Sequence, residues 1–420
     1  MHNWAGNVSY STADLQHPTS VAQLSEIVTG ASRVKALGSR HSFNDSADTV
    51  GTLVALDQLR LDGADTSEPQ LDSTAGTVRV AAGVTHAQLG EFLQRHGYAL
   101  HNLASLPHIS VAGAIQTGTH GSGVRNSSLA ADVRALEIVR ASGELESVSQ
   151  GDENFHASVV GIGALGIVTA VTLRVEPSFQ VSQHVHEGMP WQAALANWSE
   201  IMAGGYSVSV FTTFDGPDTH QIWTKRRVDD ASPTVDLVAL GGREATQARH
   251  PVPGVNAAGV TAQQRNPGPW NERLAHFRSD FQPSFGEEIQ SEYLMPAEHA
   301  VAAVQALRGI GHLISPLLFV CELRTVATDA AWLSPSYARA SVAVHFTWHQ
   351  RSEELRALLP HVEAALAPFA ARPHWGKVFT MPRAELRRVY PRLDEFTTET
   401  LRVDPNRRFG NAFLRRVLFD

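Results

Sequence analysis

A single cysteine, Cys321, stands among 420 residues, so an intramolecular disulfide framework is excluded and the chain suits a reducing compartment. Excess basic charge is missing as well. The formal net charge is −8, and without a cationic patch interleaved with aromatics no nucleic-acid partner is expected. No window reaches the ~18 apolar residues needed to cross a bilayer. The opening MHNWAGNVSYST has neither a basic n-region nor an apolar h-region. The expectation is a soluble cytoplasmic protein with no membrane partner. Lysine is almost absent too: Lys35, Lys225 and Lys377 stand against 31 arginines. Each lysine therefore departs from the habit of the chain and asks for a chemical reason.

What is present supports two cores. The chain is 43% hydrophobic and 18% charged, and above roughly 250–300 residues a single core usually stops growing. TSVAQLSEIVTGAS predicts a helix, with Ser20 and Gln23 in capping-box spacing, an apolar stripe of Val21, Leu24 and Val28, and Gly30 at its end. VKAL (34–37), TLVAL (52–56) and TVRVAAG (77–83) read as strands, and THAQLGEFLQRHG repeats the helix recipe with Thr85, Gln88 and Gly97. LEIVRASGELESV predicts a hairpin on Ser142-Gly143, and residues 161–177 a Gly-rich turn followed by a β-branched strand ended by Pro177. Beyond Phe179 longer alternating strands take over: YSVSVFTTF, QIWTKRRV, FVCELRTV and SVAVHFTWH. Helices around PAEHAVAAVQALRGI and over 352–370 accompany them, with an excursion loop near 250–270. The fold class expected is α+β. Residues 1–177 form one domain, 178–375 a second with an antiparallel sheet, and 376–420 return to the first.

Three Gly/Ser/Thr-rich turns, at 38–44, 117–123 and 161–166, fall in the first part of the chain. Glycine lets backbone N–H groups reach a bulky anion, although many such turns are only turns. None fits the G-x-G-x-x-G dinucleotide pattern or a Walker A loop. The first turn, ALGSRHSFND, also carries a histidine, His41.

Together ALGSRHSFN, NLASLPHISVAGAIQTGTHGSG, CELRTV and HWGKVF resemble, in this order, the vanillyl-alcohol oxidase family of FAD enzymes, and within it the alditol (xylitol) oxidases. The resemblance implies a two-subdomain FAD-binding domain and a cap-like substrate domain. It implies FAD bonded through His41, an imidazole being a suitable nucleophile toward the flavin 8α-methyl. The FAD contacts it implies are Ala36, Leu37, Gly38, Ser39, Arg40, His41, Ser42, Ser105, Ser110, Gly113, Thr117, Gly118, Thr119, His120 and Val168, with His374 beside them. A second, cysteinyl flavin link is excluded, because no cysteine lies near residues 100–125.

The period of two places Glu322 and Arg324 on one face of FVCELRTV, and His345 and Thr347 on one face of SVAVHFTWH. Such faces can meet solvent. A polyol, whose hydroxyls both donate and accept, would find there a carboxylate, a guanidinium and a hydroxyl. In the alditol oxidases the matching positions are Ser105, Glu322, Arg324, Thr347 and Lys377, and His345 is a plausible further member. The resemblance implies hydride transfer from the terminal CH–OH to flavin N5 and reduction of oxygen to hydrogen peroxide. A sugar-lactone oxidase or dehydrogenase on the same scaffold is the alternative, and a flavin- or sugar-binding module without turnover is another. The 20 histidines contain no H-E-x-x-H, so a metal hydrolase is disfavoured.

Overall fold

The computed structural model describes residues 1–61, 68–231, 234–281 and 287–420. The helix Val21–Gly30 begins as expected, with Ser20 Oγ accepting from the Gln23 N–H. The Gln23 side chain reaches back to the Thr19 N–H, one residue earlier than a capping box requires, and the C-cap is Ala31. The helix His86–Arg95 has the full capping box of Thr85 and Gln88. It stops at Gly97, whose φ of +79° is one that glycine adopts without strain.

Two sheets occupy the first part of the chain. Leu15–Gln16, Thr52–Ala55 and Val34–Leu37 form a parallel three-stranded sheet in that order. An antiparallel sheet runs in the order Gln70–Asp72, Thr77–Ala81, Ile167–Arg174, Val133–Val139 and Leu145–Ser149. The β-branched strand stops at Arg174 rather than Pro177. Glu176–Pro177 instead pairs with Tyr98–Ala99, a two-residue edge pairing that tolerates a proline without an N–H.

The largest sheet has nine strands among the described residues. Its central order is Gln180–Glu187, Gln221–Arg227, Ser207–Thr212, Leu318–Val326, Ser341–His349 and Glu288–Pro296. One face is apolar. Leu323, Val344, Phe346, Trp348 and Tyr293 join a core with Val304 and Leu307 of the helix Ala300–Gly309 and with Leu359 and Val362 of the helix Ser352–Leu366. With helices covering that face, the alternate residues must point the other way. The stretch near 250–270 is irregular, with Gly268–Pro269 pairing against Gln180–Val181 at the sheet edge.

The last segment packs where the first sheets are. Leu386, Phe396, Phe409 and Phe413 share a core with Leu24, Val28 and Val34. Among the described residues no single helix is long and apolar enough to cross a membrane.

Candidate active site

A cavity of about 660 Å3 runs from the strand Val34–Leu37 and its following loop to the polar face of the large sheet, within the size range of cofactor and small-molecule sites. Twenty of the predicted residues line it, from Ala36 through Ser42 to Lys377; Gly118 does not. Gly118 has φ +72°, and a Cβ there would lie 3.0 Å from Pro335 Cδ and 3.6 Å from Val160 Cγ1. Its need for glycine is conformational, at the end of the helix Val111–Gln116, and not one of ligand contact.

Two other glycines form a cradle. A Cβ at Gly38 would lie 2.8 Å from Ser110 Oγ, and one at Gly113 2.7 Å from the same atom. Ser110 caps the helix Val111–Gln116 without spending its side chain on the helix N–H groups. Its backbone N–H instead meets Ser39 Oγ at 3.3 Å. The loop after the first parallel strands and the small-residue helix thus meet backbone to backbone, with hydroxyls between them.

His41 follows at once. Its ring stacks on Trp4 with centroids 4.7 Å apart, and Nδ1 lies 3.2 Å from the Ser39 carbonyl. Burial lowers the imidazole to about 4, which leaves it neutral with one free nitrogen lone pair at neutral pH. The loop is laced to the chain around Lys377. Phe43 N–H donates to the Gly376 carbonyl at 2.8 Å, and Asn44 Nδ2 donates to the carbonyls of Trp375 and Lys377, both at 2.8 Å. Backbone hydrogen bonds from His374 to Glu292 and from Val378 to Gln290, each 2.9 Å, carry the connection onto the large sheet. The turn at 117–123 is held to the same sheet by Gly123 N–H on the Thr325 carbonyl at 2.9 Å.

On that sheet the register aligns Glu292, His345, Glu322 and Phe211 across four strands, with Gln290, Thr347 and Val320 in the neighbouring row. Arg324 lies between two carboxylates: Nη2 donates to Glu292 Oε1 at 2.6 Å and Nε is 3.7 Å from Glu322 Oε2. Its Nη1 reaches Ser105 Oγ at 3.4 Å. His120 Nε2 and His345 Nδ1 lie 3.1 and 3.2 Å from the Glu292 carboxylate, and His276 Nε2 is 2.7 Å from Glu322 Oε1. Lys377 Nζ bonds Gln290 Oε1 and stands 4.8 Å from the Phe43 ring centre.

Burial alone would raise both carboxyls. For Glu292 it is outweighed by Arg324, His345 and His120, and for Glu322 by Arg324 and His276, so both are held well below the usual carboxylate range. Burial lowers Lys377 to about 8; Glu292 opposes the shift and Arg324 adds to it. His374, facing the same space, is lowered by burial to about 3. Two fixed anions and two cations thus share a pocket whose imidazoles are mostly neutral.

Glu292 and His276 escape the sequence reading, for different reasons. Glu292 had a signal, since Glu288, Gln290 and Glu292 alternate with Ile289, Ser291 and Tyr293 in EIQSEY just as the two recognised strands do. His276 had none, because it lies in irregular chain without periodicity. The solvent-facing alternative for the polar faces is excluded by burial: Glu322 and Arg324 are each 5% exposed.

FAD suits this arrangement. Gly38 and Gly113 both line the cavity and let the loop and the helix close tightly around Ser110, which leaves backbone rather than side chain at this part of the wall. A neutral, stacked His41 stands at one wall, and the cavity is continuous with the polar sheet face. Independent comparisons point the same way. Residues 15–149 match the FAD binding domain family, and residues 253–417 the D-arabinono-1,4-lactone oxidase family. An alditol oxidase from a Streptomyces species is 45% identical over 99% of this chain and 98% of its own length. An L-gulono-1,4-lactone dehydrogenase from Mycobacterium tuberculosis is 31% identical over the same shares. Cholesterol oxidase from B. sterolicum, 13% identical, superposes with a TM-score of 0.78 over 99% of this chain and 96% of its own, and shares the fold. The chain belongs to the vanillyl-alcohol oxidase family of FAD-dependent oxidoreductases, in its alditol oxidase branch.

Proposed function

We propose that this chain is an alditol oxidase that converts the terminal CH–OH of polyols such as xylitol and sorbitol to the aldose, with FAD joined covalently through His41. FAD supplies the hydride acceptor and returns the electron pair to oxygen, giving hydrogen peroxide. The observation that carries the reading is the clamp of Arg324 between Glu292 and Glu322 in the cavity that His41 also lines. Arg324 and Lys377 stabilise negative charge developing on the substrate oxygen, and being held in place they need no reorganisation to do so. Glu322 accepts from neighbouring hydroxyls, and Thr347 and Ser105 can both donate and accept, which suits a chain of vicinal hydroxyls. Glu292, already engaged by Arg324, His120 and His345, holds the cation rather than the substrate. A cytoplasmic location goes with this reading, since the one cysteine is buried and unpaired.

The match of residues 253–417 to a lactone oxidase family keeps an aldonolactone as the second reading. Oxygen uptake and peroxide release with xylitol, sorbitol and L-gulono-1,4-lactone separate the two. Turnover of the polyols with peroxide is expected, and turnover of the lactone alone refutes the assignment. A His41→Ala variant is expected to lose its yellow colour on acid denaturation and gel electrophoresis while the parent keeps it. A parent that also loses it removes the covalent link.

A further inference from the structure

Lys377 accounts for only one of the three lysines in an arginine-rich chain. Lys225, on the strand Gln221–Arg227, is 1% exposed. Its ammonium meets three groups: the carbonyls of Leu274 and Ala275 at 2.5 and 2.9 Å and His276 Nδ1 at 3.1 Å. Three acceptors match the three N–H bonds of the ammonium form, whose pKa burial lowers to about 7 while Glu322 opposes the shift, and a planar guanidinium has no comparable arrangement of donors. Both carbonyls belong to irregular chain, where a buried oxygen needs a donor from outside the segment. Beyond them the same chain reaches the active site twice. His276 and Phe277 N–H both donate to the Ser105 carbonyl at 3.1 and 3.2 Å, and His276 Nε2 is 2.7 Å from Glu322 Oε1.

We propose that Lys225 and His276 are positioning residues: the ammonium donates to His276 Nδ1, which leaves the ring proton on Nε2, and that N–H holds Glu322 toward the polyol. A carboxylate only accepts, so Glu322 can be held by this ring only when Nε2 carries hydrogen. With Nδ1 taken as an acceptor by Lys225, the neutral ring has no other tautomer open to it. Burial keeps the ring neutral, lowering His276 to about 4, with Lys225 acting in the same direction. The lysine thus acts on the substrate through two other side chains and never touches it. The inference rests on the polyol reading of the pocket.

The test pairs spectroscopy with kinetics on the FAD-loaded protein. Nitrogen-15 spectra of histidine-labelled protein, with the His276 signals assigned by their loss in His276→Asn, are expected to show the Nε2–H tautomer. In Lys225→Met that signature is expected to mix or reverse, and KM for xylitol to rise about tenfold, the loss associated with a hydrogen bond to a charged group. Flavin absorbance per polypeptide stays unchanged and kcat falls by less than KM rises, because Glu322 binds ground and transition states alike. A parent His276 protonated on Nδ1 or on both nitrogens overturns the proposal, as does a folded Lys225→Met with KM within about twofold of the parent. If Lys225→Met does not fold, the tautomer in the parent decides. A parent that leaves xylitol untouched refutes the polyol reading, while the tautomer still decides whether Lys225 orders His276.

Discussion

Replacing Arg324 by methionine removes a guanidinium that contacts Glu292 at 2.6 Å and Glu322 at 3.7 Å, and keeps most of the side-chain volume. Both carboxylates are at most 5% exposed, and leaving buried charges without their partner costs about 3–5 kcal/mol. His120, His345 and His276 remain beside them, which places the expected loss at the lower end of that range. The pH dependence fixes the sign. Carboxyls held below their ordinary value in the folded protein contribute stability above the unfolded value of about 4.3, and that contribution fades as pH falls through the folded values. Most of it disappears in Arg324→Met. The gap between parent and variant should therefore be widest near neutral pH and narrow below about pH 4. For the chemistry, losing one preorganised donor to a developing oxyanion costs about a hundred- to thousandfold in rate. Melting curves at several pH values measure the first effect, and anaerobic flavin bleaching by xylitol in a stopped-flow instrument the second. A variant that melts with the parent at neutral pH, or whose deficit grows in acid, refutes the clamp. Flavin reduction at the parent rate refutes the catalytic role.

Lys377 is cationic below about 8, so kcat/KM for a polyol should fall as pH rises through that value. Lys377→Arg should move this limb out of the accessible range, and an unmoved limb assigns it to another group. Gly38→Ala brings a methyl to within 2.8 Å of Ser110 Oγ and should lower the flavin bound per polypeptide. Adding Ser110→Ala removes that oxygen and should restore binding, since the Ser110 Cβ is 4.0 Å away. Equal flavin content in all three proteins would mean that the approach at this point is not tight.

Much of the site was legible because strands write their faces with a period of two. Glu322, Arg324, His345 and Thr347 could be paired off from the sequence, and the structure puts them in adjacent, aligned strands. Helix ends were legible for the same local reason, as at Thr85, Gln88 and Gly97. Ser20 and Gln23 show the limit, since the right residues stand at the right spacing but the glutamine chooses the neighbouring N–H. Gly118 shows another: within a glycine-rich run, glycine required by φ and glycine required by a ligand look alike.

What the sequence determined by itself was local: which residues alternate, where helices begin, and that lysine is the exception in this chain. Tertiary structure decided which of those faces meet. It set Glu292 against Arg324 across two strands, brought the loop carrying His276 back over Ser105, and buried Lys225 beneath that loop. The contact of Arg324 with Ser105 joins residues more than two hundred positions apart. Propensity and periodicity act over a few residues, whereas such pairings depend on how sheets and irregular chain pack around a shared core.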